Sequence, residues 1–236
     1  MLKKTGFFAP NENSIFVAIS IYKMNFLPEK IQDYIDEHSD EETALLYELN
    51  RKSHLELLHP EMVSGNIQGQ FLRMISQMMQ PQRILEVGTF TGYATICLAD
   101  GLSEGGLIHT IDINEEIKDI TTKYFEKAGI SNKVKMHIGD ALKIIPNLNE
   151  TFDLIFLDAD KANYPIYYPI LKQKLKKGGF ILADNVLWYG KILKPVVPKD
   201  KATKGVLAFN KLVKEDKEVE KFILSLRDGI TMIRKK

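Results

Sequence analysis

Between residues 83 and 184, five short apolar runs of strand length alternate with segments of helical pattern, and this alternation constrains the fold more than any other feature. The runs are RILEVG (83–88), LIHTID (107–112), KVKMHIG (133–139), FDLIFLD (152–158) and GFILAD (179–184). Helix-like stretches at 93–102, 115–128, 141–145 and 164–175 separate them. Strands that alternate with helices are joined by right-handed crossovers, so they run parallel and both faces of their sheet are covered. Gly178 and Gly179 read as a turn before the fifth strand. The pattern changes at the end of the chain. VEKFILSL and GITMIRK read as two strands joined around Arg227, Asp228 and Gly229, and Asp-Gly is a strong hairpin signal. The expected fold is therefore α/β: a mostly parallel seven-stranded sheet that ends in an antiparallel hairpin, with helices on both faces.

Residues 28–58 are helical in pattern, with Ile31, Tyr34 and Ile35 on one face and Leu45, Leu46 and Leu49 on another. Ser39 followed by Glu42 resembles a capping box that starts the second helix. A third helix is expected over 67–79, ended by Pro81. These helices (24–80) and the alternating core (81–236) form one expected domain. Residues 1–23 read as a poorly specified extension, and Met24 is a possible start. The apolar run 15–22 is too short for a bilayer, which needs roughly 20 residues, and it has the wrong flanks for a signal peptide. The formal net charge of +1 gives no global field that favours nucleic acid. A single cysteine, Cys97, excludes an intrachain disulfide and a cysteine zinc cluster, which fits a reducing compartment such as the cytoplasm.

LEVGTFTGYAT follows the first strand and opens a helix. Gly88 and Gly92 permit a tight turn and close approach of a ligand. Their G-x-x-x-G spacing is not the dinucleotide fingerprint, and no Gly-Lys-Ser/Thr follows, so the loop is not built for pyrophosphate. Glu86 adds an anion that would repel phosphate and suit a cationic ligand. Asp112, at the end of the second strand, can accept hydrogen bonds from a ribose diol, and Gly139-Asp140-Ala141 ends the third where an adenine could lie. Any one such acid is ordinarily a solvated turn residue. Glu86, Asp112, Asp140 and Asp158 at successive strand ends, together with the glycine loop, favour a cationic nucleoside such as S-adenosylmethionine. Asp158, Asp184 and Asn185 offer hard oxygen donors that suit Mg²⁺, Mn²⁺ or Ca²⁺, and the five histidines lack zinc spacing.

The motifs LEVGTFTGYAT, IDIN, GDA, FLDADKANY and ADNVLWYGK, with GQFL upstream and DGITMIRK at the end, resemble the cation-dependent class I O-methyltransferases, the caffeoyl-CoA and catechol O-methyltransferase group with its bacterial relatives. The resemblance covers roughly residues 28–236 and implies a Rossmann-like methyltransferase fold and a homodimer. It also implies roles: Asp158, Asp184 and Asn185 as metal ligands, Lys161 as general base, and Ser64, Glu86, Gly88, Thr89, Asp112, Ala141 and Asp160 at the methyl donor. Ala94 stands where the family often has serine, which removes one hydroxyl contact to the donor. A lysine beside a cation and partly withdrawn from water can take a proton. Trp188 and Tyr189 could wall the acceptor pocket, and the basic loop 191–205 is a candidate lid whose lysines could meet CoA phosphates or RNA. The acceptor expected is a catechol-like or vicinal-diol small molecule, including a CoA ester. Hydroxylated uridine in transfer RNA is the alternative acceptor. A non-catalytic S-adenosylmethionine binder and a nucleotide-dependent oxidoreductase are the alternatives of other classes.

Overall fold

The structure is a computed structural model that describes residues 27–236. The expected extension 1–23 and the Met24 start lie outside the described residues. Among the described residues, β1 (Arg83–Val87), β2 (Leu107–Asp112), β3 (Val134–Ile138), β4 (Phe152–Leu157), β5 (Leu175–Ala183), β6 (Val219–Leu224) and β7 (Ile230–Lys235) form one sheet in the order β3-β2-β1-β4-β5-β7-β6. The first five strands run parallel; β7 is antiparallel to β5, and β6 to β7. This is the expected seven-stranded arrangement.

Strand side chains alternate between two cores with a period of two. Leu85, Val87, Ile155, Leu157, Ile181 and Ala183 face one side, where α6 (Ala141–Asn147), α7 (Tyr164–Lys174) and α8 (Lys201–Glu215) cover them through Ile145, Tyr164, Leu171 and Phe209. Ile84, Ile108, Leu154, Phe156 and Leu182 face the other. There α2 (Ala44–Glu56), α3 (Gly65–Met79), α4 (Tyr93–Ala99) and α5 (Lys118–Lys127) pack through Leu49, Leu72, Leu98 and Tyr124. The first helix, α1 (Glu29–Glu37), buries none of its residues.

Four local expectations are corrected. The second helix is capped by Thr43, whose hydroxyl accepts from the Leu46 amide at 3.3 Å, while Ser39 instead donates to the Ile35 carbonyl at the end of α1. The third helix begins two residues earlier than its apolar pattern, at Gly65. Gly178 and Gly179 lie inside a longer β5, where the register with β4 shifts between Phe152 and Leu154; a bulge absorbs what reads as a turn. Loop 191–205 is shorter than expected, because α8 starts at Lys201 behind an Asp200 cap that accepts from the Thr203 amide at 2.9 Å.

Candidate active site

Strand order reverses at β1: β2 and β3 lie on one side of it, β4 and β5 on the other. Open α/β sheets bind ligands beyond the carboxyl ends of strands at such a point. The ladder continues one residue past each strand there. Gly88 N donates to Ile111 O at 2.9 Å, Asp158 N to Val87 O at 2.8 Å, and Asp184 N to Leu157 O at 3.0 Å. Gly88, Asp158 and Asp184 therefore stand side by side at one rim.

Gly88 has φ +104°, and a Cβ on it would sit 2.0 Å from the Asp158 carbonyl oxygen, so only glycine fits between the β1 and β4 exits. The loop then turns through Phe90 at φ 45°, held because the Asp112 carboxylate accepts from the Phe90 amide at 2.8 Å and the Asn114 amide at 2.9 Å. Asp112 thus buttresses the loop. Each of its oxygens keeps a further lone pair for a ligand hydroxyl. The buried Thr89 hydroxyl lies 2.5 Å from that of Thr110.

Glu86 departs from the expected anion. It is fully buried, accepts from the Thr110 hydroxyl at 2.5 Å and from that of Thr95, and its Oε1 has no hydrogen-bond partner among the described residues. Burial pushes its carboxyl up to about 8, with the charges of Asp158 and Asp112 adding to the rise and the two hydroxyls opposing it. The unfolded chain releases this proton near 4.5 and the folded chain near 8. The folded state therefore holds more protons between those values, and stability falls as pH rises through that window, by up to ~1.4 kcal/mol per pH unit. In Glu86→Gln this decline is expected to flatten, which urea denaturation of the ligand-free chain at pH 5.5 and pH 8 would show. An unchanged decline would mean that Glu86 is ionised in place.

Asp140 caps α6 by accepting from the Leu142 amide at 2.9 Å, and Ala141 joins the core beneath it. Asp160 accepts from the Asn163 amide and the Tyr167 hydroxyl, both at 3.2 Å, and remains exposed. Ser64 is buried at the start of α3, where its side chain makes no cap bond. Asp140 and Asp160 thus follow the carboxyl ends of β3 and β4, and Ser64 precedes α3.

The opposite pole centres on Lys161, which is only 8 % exposed although it is a lysine. Its Nζ donates to Asp158 Oδ1 at 2.7 Å and to the Tyr164 hydroxyl at 2.8 Å. Tyr164 is fully buried, and its hydroxyl lies 2.9 Å from the Leu157 carbonyl and 3.0 Å from the Asp184 carbonyl. Burial, with Asp158 and Asp184 nearby, holds its phenol proton well above the usual range, so Tyr164 stays neutral and accepts from the lysine. Gly205 of α8 lets that helix press directly on this turn, since a Cβ there would meet the Lys161 carbonyl at 2.1 Å. Asp184 is buried, and its carboxyl is pushed up by burial and by the charge of Asp158, against the pull of Lys161. Asn185 follows at φ 57°, its amide donating to Asp184 Oδ1 at 2.7 Å. Among the described residues no three His, Cys, Asp or Glu side chains are grouped to hold a metal. The two carboxylates would need the Asn185 carboxamide as a third donor.

Trp188 and Tyr189 adopt φ 47° and φ 53°, an uncommon backbone for aromatic residues. Asp228 holds them there: its Oδ1 accepts from the Tyr189 amide at 2.7 Å, and its carbonyl accepts from the Leu187 amide at 2.9 Å. Asp228 Oδ2 and Trp188 Nε1 are both buried without a partner among the described residues. The sequence places Asp228 only in a hairpin turn, and it gives no role to Gln68, which reaches Asp184 from helix α3, or to Arg227, which reaches Gln68 from that same turn. Their contacts join residues 116 and 159 positions apart, beyond any local pattern.

The sheet and its rim crevice define a Rossmann-like protein of the methyltransferase type, and comparisons with known proteins make this specific. The family described as O-methyltransferase matches residues 36–236. Caffeoyl-CoA O-methyltransferase 1 of Eucalyptus globulus is 36% identical over 184 residues, spanning 74% of this chain and 75% of that protein. A probable caffeoyl-CoA O-methyltransferase 2 of Dictyostelium discoideum is 30% identical over 216 residues, 87% of this chain and 91% of the relative. Among solved structures, the Bacillus cereus O-methyltransferase in complex with SAH superposes with a TM-score of 0.79 at 30% identity, covering 88% of this chain and 97% of that one. TomG of Streptomyces achromogenes, an O-methyltransferase of tomaymycin synthesis in complex with SAM, gives 0.80 at 27% identity, covering 88% and 96%. The chain belongs to the O-methyltransferase family. No helix among the described residues is long and apolar enough to cross a membrane.

Proposed function

We propose that this chain transfers a methyl group from S-adenosylmethionine to a hydroxyl of a catechol-like or other vicinal-diol small molecule, with a divalent cation, Mg²⁺ ahead of Mn²⁺ or Ca²⁺, at Asp158, Asp184 and Asn185. One observation carries the reading. Asp158, Lys161 and Tyr164 are joined by hydrogen bonds beside Asp184, at the rim where the glycine loop opens. The relatives named as caffeoyl-CoA enzymes support the acceptor class, since a caffeoyl group carries two vicinal hydroxyls. The SAM and SAH complexes of related folds support the donor.

The donor set fits a hard cation. Asp158 and the buried Asp184 follow neighbouring strands, and the charge of Asp158 raises the carboxyl of Asp184, so positive charge is favoured beside them. When bound, the ion would make a neighbouring hydroxyl more acidic and offset the two carboxylates. The chain's own residues do the rest. Gly88, Thr89 and Asp112 shape the donor loop, while Ser64, Asp140, Ala141 and Asp160 border it. Lys161 is the residue assigned to take the acceptor proton, with Tyr164 fixing the position of its nitrogen. Trp188 and Tyr189, held by Asp228, present an aromatic wall to a planar acceptor. The lysines of 191–200 at that wall would suit the phosphates of a CoA ester. A cytoplasmic homodimer belongs to the same proposal, supported by Phe222 and Ile223, which stand exposed on edge strand β6.

Methyl-labelled donor offered with a panel of catechols, caffeoyl-CoA, matched monophenols and hypomodified transfer RNA tests the reading. Label is expected in the vicinal diols and absent from the monophenols. Label in transfer RNA alone would overturn the acceptor class.

A further inference from the structure

Gln68 of α3 is 1 % exposed and sits between two charged groups. Its Nε2 donates to Asp184 Oδ2 at 2.6 Å, and its Oε1 accepts from Arg227 Nη1 at 3.0 Å. The amide has only one consistent orientation. A guanidinium can only donate, so it must face the carbonyl oxygen; an ionised carboxylate can only accept, so it must face the NH₂. Arg227 therefore dictates which end of Gln68 meets Asp184. Arg227 is itself fixed by the hairpin turn, where it takes φ 46°, and its Nη1 also donates to the carbonyls of Val63, at 3.2 Å, and Ser64.

We propose that Gln68 is a positioning residue for the Asp184 carboxylate and that Arg227 positions Gln68, so that the β6–β7 turn holds a proposed metal ligand just past β5 through helix α3. This rests on the metal reading above. Without the Gln68 amide, Asp184 Oδ2 would lose its charge-assisted donor in a buried place, and the carboxyl would be held only through Oδ1, by the Asn185 amide. Groups behind metal ligands commonly set affinity by 10–100-fold. The contacts of Arg227 to the Val63 and Ser64 carbonyls extend the same chain to the edge of the donor crevice.

Binding of Mn²⁺ by the full chain, read from loss of the free-ion electron paramagnetic resonance signal with S-adenosylhomocysteine present, tests this without turnover. Gln68→Leu is expected to weaken Mn²⁺ binding by about 10–100-fold while S-adenosylhomocysteine affinity, measured calorimetrically, stays within about threefold. Arg227→Met, an exposed position that leaves Gln68 in place, is expected to weaken it by about tenfold, and Arg227→Lys, which keeps a donor, to recover most of that loss. Wild-type Mn²⁺ affinity in Gln68→Leu or in Arg227→Met would overturn the proposal. Equal loss in Arg227→Met and Arg227→Lys would overturn the role given to Arg227. A wild-type chain that binds S-adenosylhomocysteine but no Mn²⁺ would remove the metal reading itself, and this inference with it.

Discussion

Lys161→Met is expected to lower kcat for methyl transfer by about 10²–10⁴-fold, the range removed when a positioned general base is lost, while the dissociation constant for S-adenosylhomocysteine changes little. The side chain is buried, and its nitrogen touches only Asp158 and Tyr164 among the described residues, none of which belongs to the glycine loop. Methionine fills the same space without a nitrogen, so packing against Tyr164 and beneath α8 is kept. Some stability is lost, because Asp158 gives up its ion-pair partner. Single-turnover rates at saturating donor and Mg²⁺, beside calorimetric S-adenosylhomocysteine binding, separate these effects. A loss confined to donor affinity, or a kcat within about threefold of wild type, would remove the base role.

Gly88→Ala is expected to be the most damaging single substitution in the donor loop. The added carbon would lie 2.0 Å from the Asp158 carbonyl oxygen and 2.7 Å from its carbon, at a φ of +104° that side chains avoid. Both obstacles are backbone, so the β4 exit has to move. That displaces Asp158, and with it the hydrogen bond to Lys161. Backbone strain of this kind costs on the order of 1–3 kcal/mol before the clash is counted. Donor binding is expected to fall by more than about tenfold, and turnover by more than about a hundredfold, with a lower melting temperature. Wild-type S-adenosylhomocysteine affinity and turnover in Gly88→Ala would show that the β1 and β4 exits do not form one rigid rim.

Much of this rim is legible in the sequence because it follows from periodicity. Apolar runs of strand length fix where β1 to β5 end, and Glu86, Asp112, Asp140, Asp158 and Asp184 sit at those ends by position alone. What Glu86 does there is not legible. It is fully buried, and that burial, against the pull of the Thr95 and Thr110 hydroxyls from a helix and a neighbouring strand, turns an expected anion into a carboxyl that keeps its proton. Helix α8 is hidden for a different reason. Val206, Phe209 and Val213 carry a helical spacing, but the lysines and prolines just upstream read as loop until the Asp200 cap is seen. The glycines of β5 mislead because a bulge and a turn use the same residue type. Tyr164 both begins α7 and supports Lys161, which its place after FLDADKAN leaves open. Gln68, Arg227 and Asp228 are visible only once the C-terminal hairpin is folded back onto the end of β5.

The central claim is that methyl transfer at this rim depends on a cation held by Asp158 and Asp184. The most direct measurement is the rate of label transfer from S-adenosylmethionine to a catechol by the metal-stripped chain in chelator, before and after Mg²⁺ is restored in excess, with Asp184→Asn beside it. The account predicts negligible transfer in chelator, recovery on adding Mg²⁺, and little recovery in Asp184→Asn. Equal rates with and without the ion, in both proteins, would contradict it.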